Sequence, residues 1–361
     1  MKTIRLFIFF LLAGFSANGQ VISLNKKEIS VLKRLVKNDP GVKNRYVRYE
    51  KAANAALADT PDPADTVFSE GRLASDPKKI VTAYSLLDLD KIYALALAYR
   101  ITGDKKYLHK AALFLTAWGK RNQPNGNPIN DTKFEHVFEA FDLVKDALTP
   151  ADRRIVSTWF SKMADAEINN PRFNGTGATG RNNWNSHRLM VIGLIGYAVN
   201  DRRYQQYALA ELPKHIEKNL YADGSGLDFH DRDALHYHVY SLEPLLSLVT
   251  TLKRAGETDY YSFISASGSS IRGSVKFLEP FVTGEKTHEE FVNSKTDFDR
   301  ARANNNEPNF KIGALFKPDH GARVFSQAAF FDPALFAIAK KGYANEEAYP
   351  DWQSVLAKVK R

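Results

Sequence analysis

The chain has 361 residues, 50 Lys and Arg against 41 Asp and Glu, a formal charge of +9 and no cysteine. Without cysteine there are no disulfides, thiolate nucleophiles or thiolate metal sites, so stability must come from an apolar core, which a chain of this length can build. The basic excess fits an anionic glycan, nucleic acid, an anionic membrane or nothing specific, but no Lys/Arg block is present, which leaves nucleic acid the weakest of these.

At the start, Lys2 and Arg5 precede an apolar run from Leu6 to Leu12, and Ala17-Asn18-Gly19 offers small residues before Gln20. This reads as a secretory signal peptide over residues 1–19, cleaved after Gly19. The apolar run is too short to span a bilayer, and no later stretch reaches the ~20 apolar residues needed. With no cysteine at the cleavage site to carry a lipid anchor, residues 20–361 are expected as a soluble periplasmic or secreted protein that binds neither nucleic acid nor membrane.

Helical patterns then follow one another. Ile29, Leu32, Leu35 and Val36 recur with a helical period, a Pro- and Asp-rich loop occupies residues 60–65, and Asp88 to Ile101 is apolar nearly all round, as in an inner helix. Thr102-Gly103-Asp104-Lys105-Lys106-Tyr107 joins two helical runs. Val199-Asn200-Asp201-Arg202-Arg203-Tyr204 repeats the joint, and Ala255-Gly256-Glu257-Thr258-Asp259-Tyr260 is a looser third copy. Gly or Asn supplies a left-handed residue that ends one helix, and Asp caps the next. Inner helix, tight turn and charged outer helix in repetition predict an all-α, single-domain α/α toroid over residues 20–361, an incomplete barrel. Gly313–Phe316 and Ala322–Ser326 are the only candidate short strands.

Polar residues gather at two helix starts. Arg181 to Asn185 follows a glycine-rich segment and leads into the apolar run Leu189–Gly196, which places Asn183 and His187 one turn apart on one face. After the Asp223–Gly226 turn, helical character is expected to resume at Asp231. Arg232, His236 and Tyr240 then form one stripe near Glu243, with Tyr237 and His238 on other faces. A helix cap and a satisfied histidine would explain each residue singly; a cleft explains the set. His230, His236 and His238 with Asp228, Asp231 and Asp233 hold donors for a metal, but no zinc or calcium spacing is present, so neither metal nor cofactor is expected. A glycoside hydrolase would need a carboxylate pair, from Asp228, Asp231, Glu135 and Glu139, and would leave the Asn/His/Tyr set idle. A glycan-binding protein without activity is a third reading.

The run Asn-Asn-x-x-Ser-His, then Asp-Gly-Ser, then Arg-Asp-Ala-Leu-x-Tyr-His-x-Tyr-x-Leu-x-Pro-Leu resembles the alginate lyase family of α/α-toroid polysaccharide lyases, in a divergent, Bacteroidetes-like branch. The likeness takes in Glu70–Leu73, Ile129–Thr132, Gly284–His288 and Glu290–Ser294. It implies β-elimination on a 1,4-linked uronate polymer (alginate, glucuronan or a relative), with an Asn, a His and an Arg around the uronate carboxylate and a Tyr moving the proton. Matched by position, Asn183 and Tyr240 take the Asn and Tyr roles. The family His position holds Trp184 here, so His187 is its substitute; the Arg position holds Asp233, so Arg232 carries over with a one-residue shift. Asn182, Trp184, His236, Tyr237, His238, Lys286 and His288 are then expected to bind the acidic polysaccharide or oligosaccharide. Either His187 or Tyr240 is the base.

Overall fold

The joint at residues 102–107 shows how one helix is turned into the next. Gly103 adopts the left-handed conformation (φ 78°), and the Asp104 side chain accepts the Lys106 N–H at 3.0 Å to start the following helix. The second joint repeats this with Asn200 at φ 57° and Asp201 capping Arg203 at 2.9 Å. The third does not. Gly256 is left-handed (φ 83°), but Asp259 caps no helix: it accepts from Ser262 N, and the next helix begins only at Ile271.

A computed structural model describes residues 19–173 and 177–361; the expected leader at residues 1–19 lies, apart from Gly19, outside them. The helices are α1 (Lys26–Asn38), α2 (Pro40–Ala56), α3 (Pro77–Thr102), α4 (Lys105–Arg121), α5 (Pro128–Asp131), α6 (Glu135–Val144), α7 (Pro150–Asn169) and α8 (Asn183–Ala198). They continue with α9 (Arg202–Asn219), α10 (Leu227–Arg232), α11 (Leu235–Arg254), α12 (Ile271–Val282), α13 (Asp297–Asn304), α14 (Pro318–Ala328), α15 (Leu335–Gly342) and α16 (Trp352–Lys360). Among the described residues there is no β-strand, only two isolated bridges. Ala322–Ser326, expected as a strand, is part of α14. Its apolar residues Ala322, Val324 and Phe325 are buried on a helix, a short apolar run being ambiguous between the two states. Gly313–Phe316 is loop, with Leu315 bridged to Glu289.

α3, α6, α8, α11 and α14 pack side by side in that order, and α4, α9, α12 and α15 lie against them from outside, with α7 on α4 and α8. α16 rests on α14, α1 and α2, and α2 on α3, so the two chain ends meet between α14 and α3 in an α/α toroid. α8 shows why the inner layer forms: from Asn185 to Ala198 every residue is buried, as a helix apolar on all faces requires. One contiguous apolar core joins residues from Val21 to Val359. No described helix is long and apolar enough to cross a membrane.

Candidate active site

The N-terminal ends of α3, α8 and α11 open on one cavity of about 540 Å³, where Lys79, Asn183, His236 and Tyr240 meet. Its floor includes Ser69, Glu70 and Gly71 of the α2–α3 loop and Lys133 of the 3-10 turn Thr132–Phe134; Phe298, Arg302, Glu307 and Phe310 come from the segment between α12 and α14. Helix N-termini carry partial positive charge, so this end of the toroid favours an anion. A larger groove of about 920 Å³ lies at the far end of α11, beside α12, and holds none of the candidate residues.

Asn182 caps α8 by accepting the Trp184 N–H at 3.1 Å, and so serves the helix rather than the cleft. Asn183, at the first turn, donates from Nδ2 to the buried Asp228, which also takes a hydrogen bond from Asn219 at 3.1 Å. Nδ2 carries two hydrogens, and Asp228 occupies one. Burial pushes the Asp228 carboxyl above its ordinary value. Trp184 is half-buried on the cleft wall, with the Arg172 guanidinium 5.8 Å from its ring centre.

His187 is not a cleft residue. It is 4 % exposed, its Nδ1 is 2.9 Å from Thr132 Oγ1, and its ring lies against that of Tyr240 with centres 4.3 Å apart. Burial, then the nearby Lys133 charge, hold its pKa down to about 3, so the imidazole stays neutral. Its far edge faces the Tyr240 backbone carbonyl, although Nε2 makes no well-aligned hydrogen bond. Pro244, one turn on, has no N–H to give that carbonyl. The one-turn spacing from Asn183 was right; the face toward which His187 turns was set by packing.

Helix does not run on from Asp231 to Tyr240. α10 ends at Arg232, Asp233 is left-handed (φ 46°) and α11 starts at Leu235. Arg232 nevertheless reaches the cleft from the other side of this corner. Its Nε and Nη2 both engage Asp299, Nη2 also donates to Tyr237 Oη at 2.6 Å, and its guanidinium lies 3.7 Å from the Tyr237 ring centre. The corner is held from behind by Gly284–Ser294. Glu290 accepts the Leu235 and His236 N–H groups at 2.7 and 3.0 Å, Phe291 N donates to the Asp233 carbonyl, and Asn293 bonds the Asp233 side chain. His288 Nε2 sits 3.2 Å from the Asp233 carbonyl, and Lys286 is exposed outside the cleft. Both were expected to bind substrate; His288 instead helps hold the corner before α11, and the Lys286 side chain lies apart from the cavity. His238 likewise leaves the cleft: it is 1 % exposed and bonds the Ser274 carbonyl at 3.0 Å.

His236, Tyr237 and Tyr240 do line the cleft. His236 packs edge-on to Phe310, and burial, reinforced by the charges of His320, Arg302 and Arg232, brings its pKa down to about 4. Tyr237 Oη accepts from Arg232 and from Arg302, the latter at 2.7 Å. Tyr240 Oη has no protein partner among the described residues, and burial followed by the Tyr237 phenol raises its pKa above the ordinary tyrosine value. Of the carboxylates weighed for a hydrolase, none lines the cavity. Asp228 is behind Asn183, Asp231 pairs with Lys295, Glu135 takes a bond from Ser247, and Glu139 lies beside Lys360. His230 bonds Ser225, so the three histidines considered for a metal turn to three places.

The sequence profile of the family described as Alginate lyase matches residues 33–288, well over half of the chain. The chain belongs to the alginate lyase family. Three solved structures of that description share its fold. An alginate lyase from Bacteroides ovatus has 18 % identity and a TM-score of 0.68, over 94 % of this chain and 99 % of its own. Alginate lyase A1-III from Sphingomonas species A1 has 19 % identity and a TM-score of 0.62, over 88 % and 89 %. A tyrosine-to-phenylalanine form of A1-III complexed with tetrasaccharide has 20 % identity and a TM-score of 0.58, over 74 % and 79 %. No curated protein sequence matches this one.

As a member of the alginate lyase family the protein is a polysaccharide lyase, and its cleft holds groups that local patterns missed. Lys133 directly follows the Ile129–Thr132 run that carried part of the family likeness, and Lys79 starts α3 just after Glu70–Leu73; proximity to those segments was the available signal. Arg302, over 60 residues from Tyr237 in sequence, had none.

Behind the lysine turn, Asp131 and Glu167 face each other, both buried, and neither finds another donor for its free oxygens. Burial raises both pKa values, that of Asp131 to about 7, and at Glu167 the charge of Asp131 adds to the rise. Because the folded values lie above the unfolded ones, the associated stability is full below about pH 4 and is lost as pH rises through the raised values. Glu167→Gln is therefore expected to gain stability over the parent at pH 8 and to show little difference at pH 4. Urea midpoints at the two pH values measure this; a difference independent of pH would contradict the shared proton.

Proposed function

We propose that this lyase is exported and cleaves 1,4-linked uronate polymers, alginate, glucuronan or a close relative, by β-elimination, without a cofactor. The observation that carries the reading is Tyr240, whose hydroxyl, unpartnered among the described residues, opens beside Asn183 in a cationic cleft. In elimination the C5 proton leaves, a C4=C5 double bond forms and the C4–O4 bond breaks, so O4 needs a proton. A phenol held above its ordinary pKa is protonated at neutral pH. Tyr240 gives that proton to O4 as it accepts the one from C5, and it starts and ends the cycle neutral. His187, neutral and packed on the ring, fixes Tyr240 rather than touching sugar.

Charge that develops on the uronate carboxylate is met by the second Asn183 N–H and by the cations of the cleft. Trp184 offers an apolar wall to a sugar ring, and the pair of arginines on Tyr237 keeps that phenol fixed. The test is to incubate the protein with alginate, glucuronan and hyaluronan and follow ultraviolet absorbance. A conjugated product from at least one polymer is expected. New reducing ends without that absorbance would mean hydrolysis, and neither signal would mean binding alone.

A further inference from the structure

A uronate carboxylate entering this cleft needs a positive charge that the protein has not already spent. Arg232 is committed to Asp299 on two nitrogens and to Tyr237. Arg302 donates to Tyr237, lies 4.4 Å from the ring centres of both Phe298 and Phe310, and has Glu307 at 3.9 Å. Lys79 donates to the Arg72 carbonyl at 3.0 Å. His187 is neutral and buried. Lys133 alone of these groups has neither a hydrogen bond nor an ion pair among the described residues, and its side chain is open to the cavity.

Its position is fixed by the backbone beneath it. Thr132 is tied to His187, and Phe134 is buried edge-on against Trp118 and Trp159. The Lys133 charge is also felt at the His187 ring on which Tyr240 packs, which places it near the proton-moving group. We propose that Lys133 binds the carboxylate of the reacting uronate, the role that the sequence pattern had offered to His187 and Arg232. This rests on the elimination reading above. Burial between the walls of the cleft, and then the like charge of Lys79, hold the Lys133 pKa below its ordinary value. Lys79 in turn faces Glu307, Arg302, Glu70 and Asp76. A bound carboxylate relieves the repulsion between the two lysines, so binding and charge placement reinforce each other.

Lys133→Met and Lys133→Arg are compared with the parent in the ultraviolet assay, across pH, and in calorimetric binding of a uronate trisaccharide to the Tyr240→Phe background. Lys133→Met is expected to lower kcat/KM by about 100-fold or more, to weaken trisaccharide binding at least tenfold and to leave the unfolding midpoint unchanged. Lys133→Arg is expected to restore most of the rate and to move the alkaline limb of kcat/KM to higher pH, since a guanidinium does not deprotonate there. Unchanged kcat/KM and trisaccharide affinity in Lys133→Met would overturn the assignment, as would an alkaline limb that Lys133→Arg does not move. Failure of the parent to make an unsaturated product from any polyuronate would defeat the elimination reading instead, and the binding comparison would still decide Lys133.

Discussion

Tyr240→Phe is expected to reduce kcat by roughly 10²–10⁴-fold, the range typical for loss of a positioned acid–base group, with KM and unfolding midpoint little changed. The structure makes this a clean substitution. Tyr240 Oη gives up no hydrogen bond among the described residues, so its removal orphans no buried donor or acceptor there. The ring contact with His187 survives, and with it the wall of the cleft. Initial rates of unsaturated-product formation, read beside a urea titration, separate the two effects. Near-parental kcat would remove Tyr240 from the chemistry even if elimination itself is observed.

The second large effect is expected in stability, from Asp299→Ala. Asp299 is 1 % exposed, accepts from Arg232 Nε and Ser294 Oγ, each at 2.6 Å, and also engages Arg232 Nη2. Removing it leaves a largely buried guanidinium without its counter-charge, which costs about 3–5 kcal/mol. α13 is anchored to α10 through this pair, so the cleft wall that carries Phe298 and Arg302 should loosen and activity fall with it. The contrasting substitution is Asp297→Ala on the same helix. Asp297 pairs with Arg300 in the open, and losing such a pair costs about 0–1 kcal/mol. Equal urea midpoints for the two variants would show that the Arg232–Asp299 pair does not hold the wall.

Much of the fold and part of the site were legible along the chain, for reasons that differ from residue to residue. Gly103-Asp104 and Asn200-Asp201 end one helix and cap the next through bonds that span two to five residues, so the joints needed no tertiary information. The looser copy at Gly256 shows the limit, since a left-handed glycine ends a helix without guaranteeing that another begins. Ala322–Ser326 was misread because five apolar-rich residues do not carry enough periodicity to distinguish strand from helix.

Asn183, Trp184, His236, Tyr237 and Tyr240 come together in one cleft because each sits within two turns of a helix start, at the same end of the toroid. What the sequence by itself determined was therefore local: two inner helices, their polar first turns, and a family pattern running through both. The tertiary structure decided which way those turns face. A left-handed Asp233, held by Phe291, Asn293 and His288, takes Arg232 off the Tyr240 helix and gives it to Asp299. Pro244 leaves a carbonyl toward which His187 turns inward. The cation left without a partner in the cleft among the described residues is Lys133, more than 100 residues before Tyr240. Caps and periodicity are written in neighbouring residues, whereas the free charge in a cleft is what remains after distant segments have paired, and that remainder exists only in the folded chain.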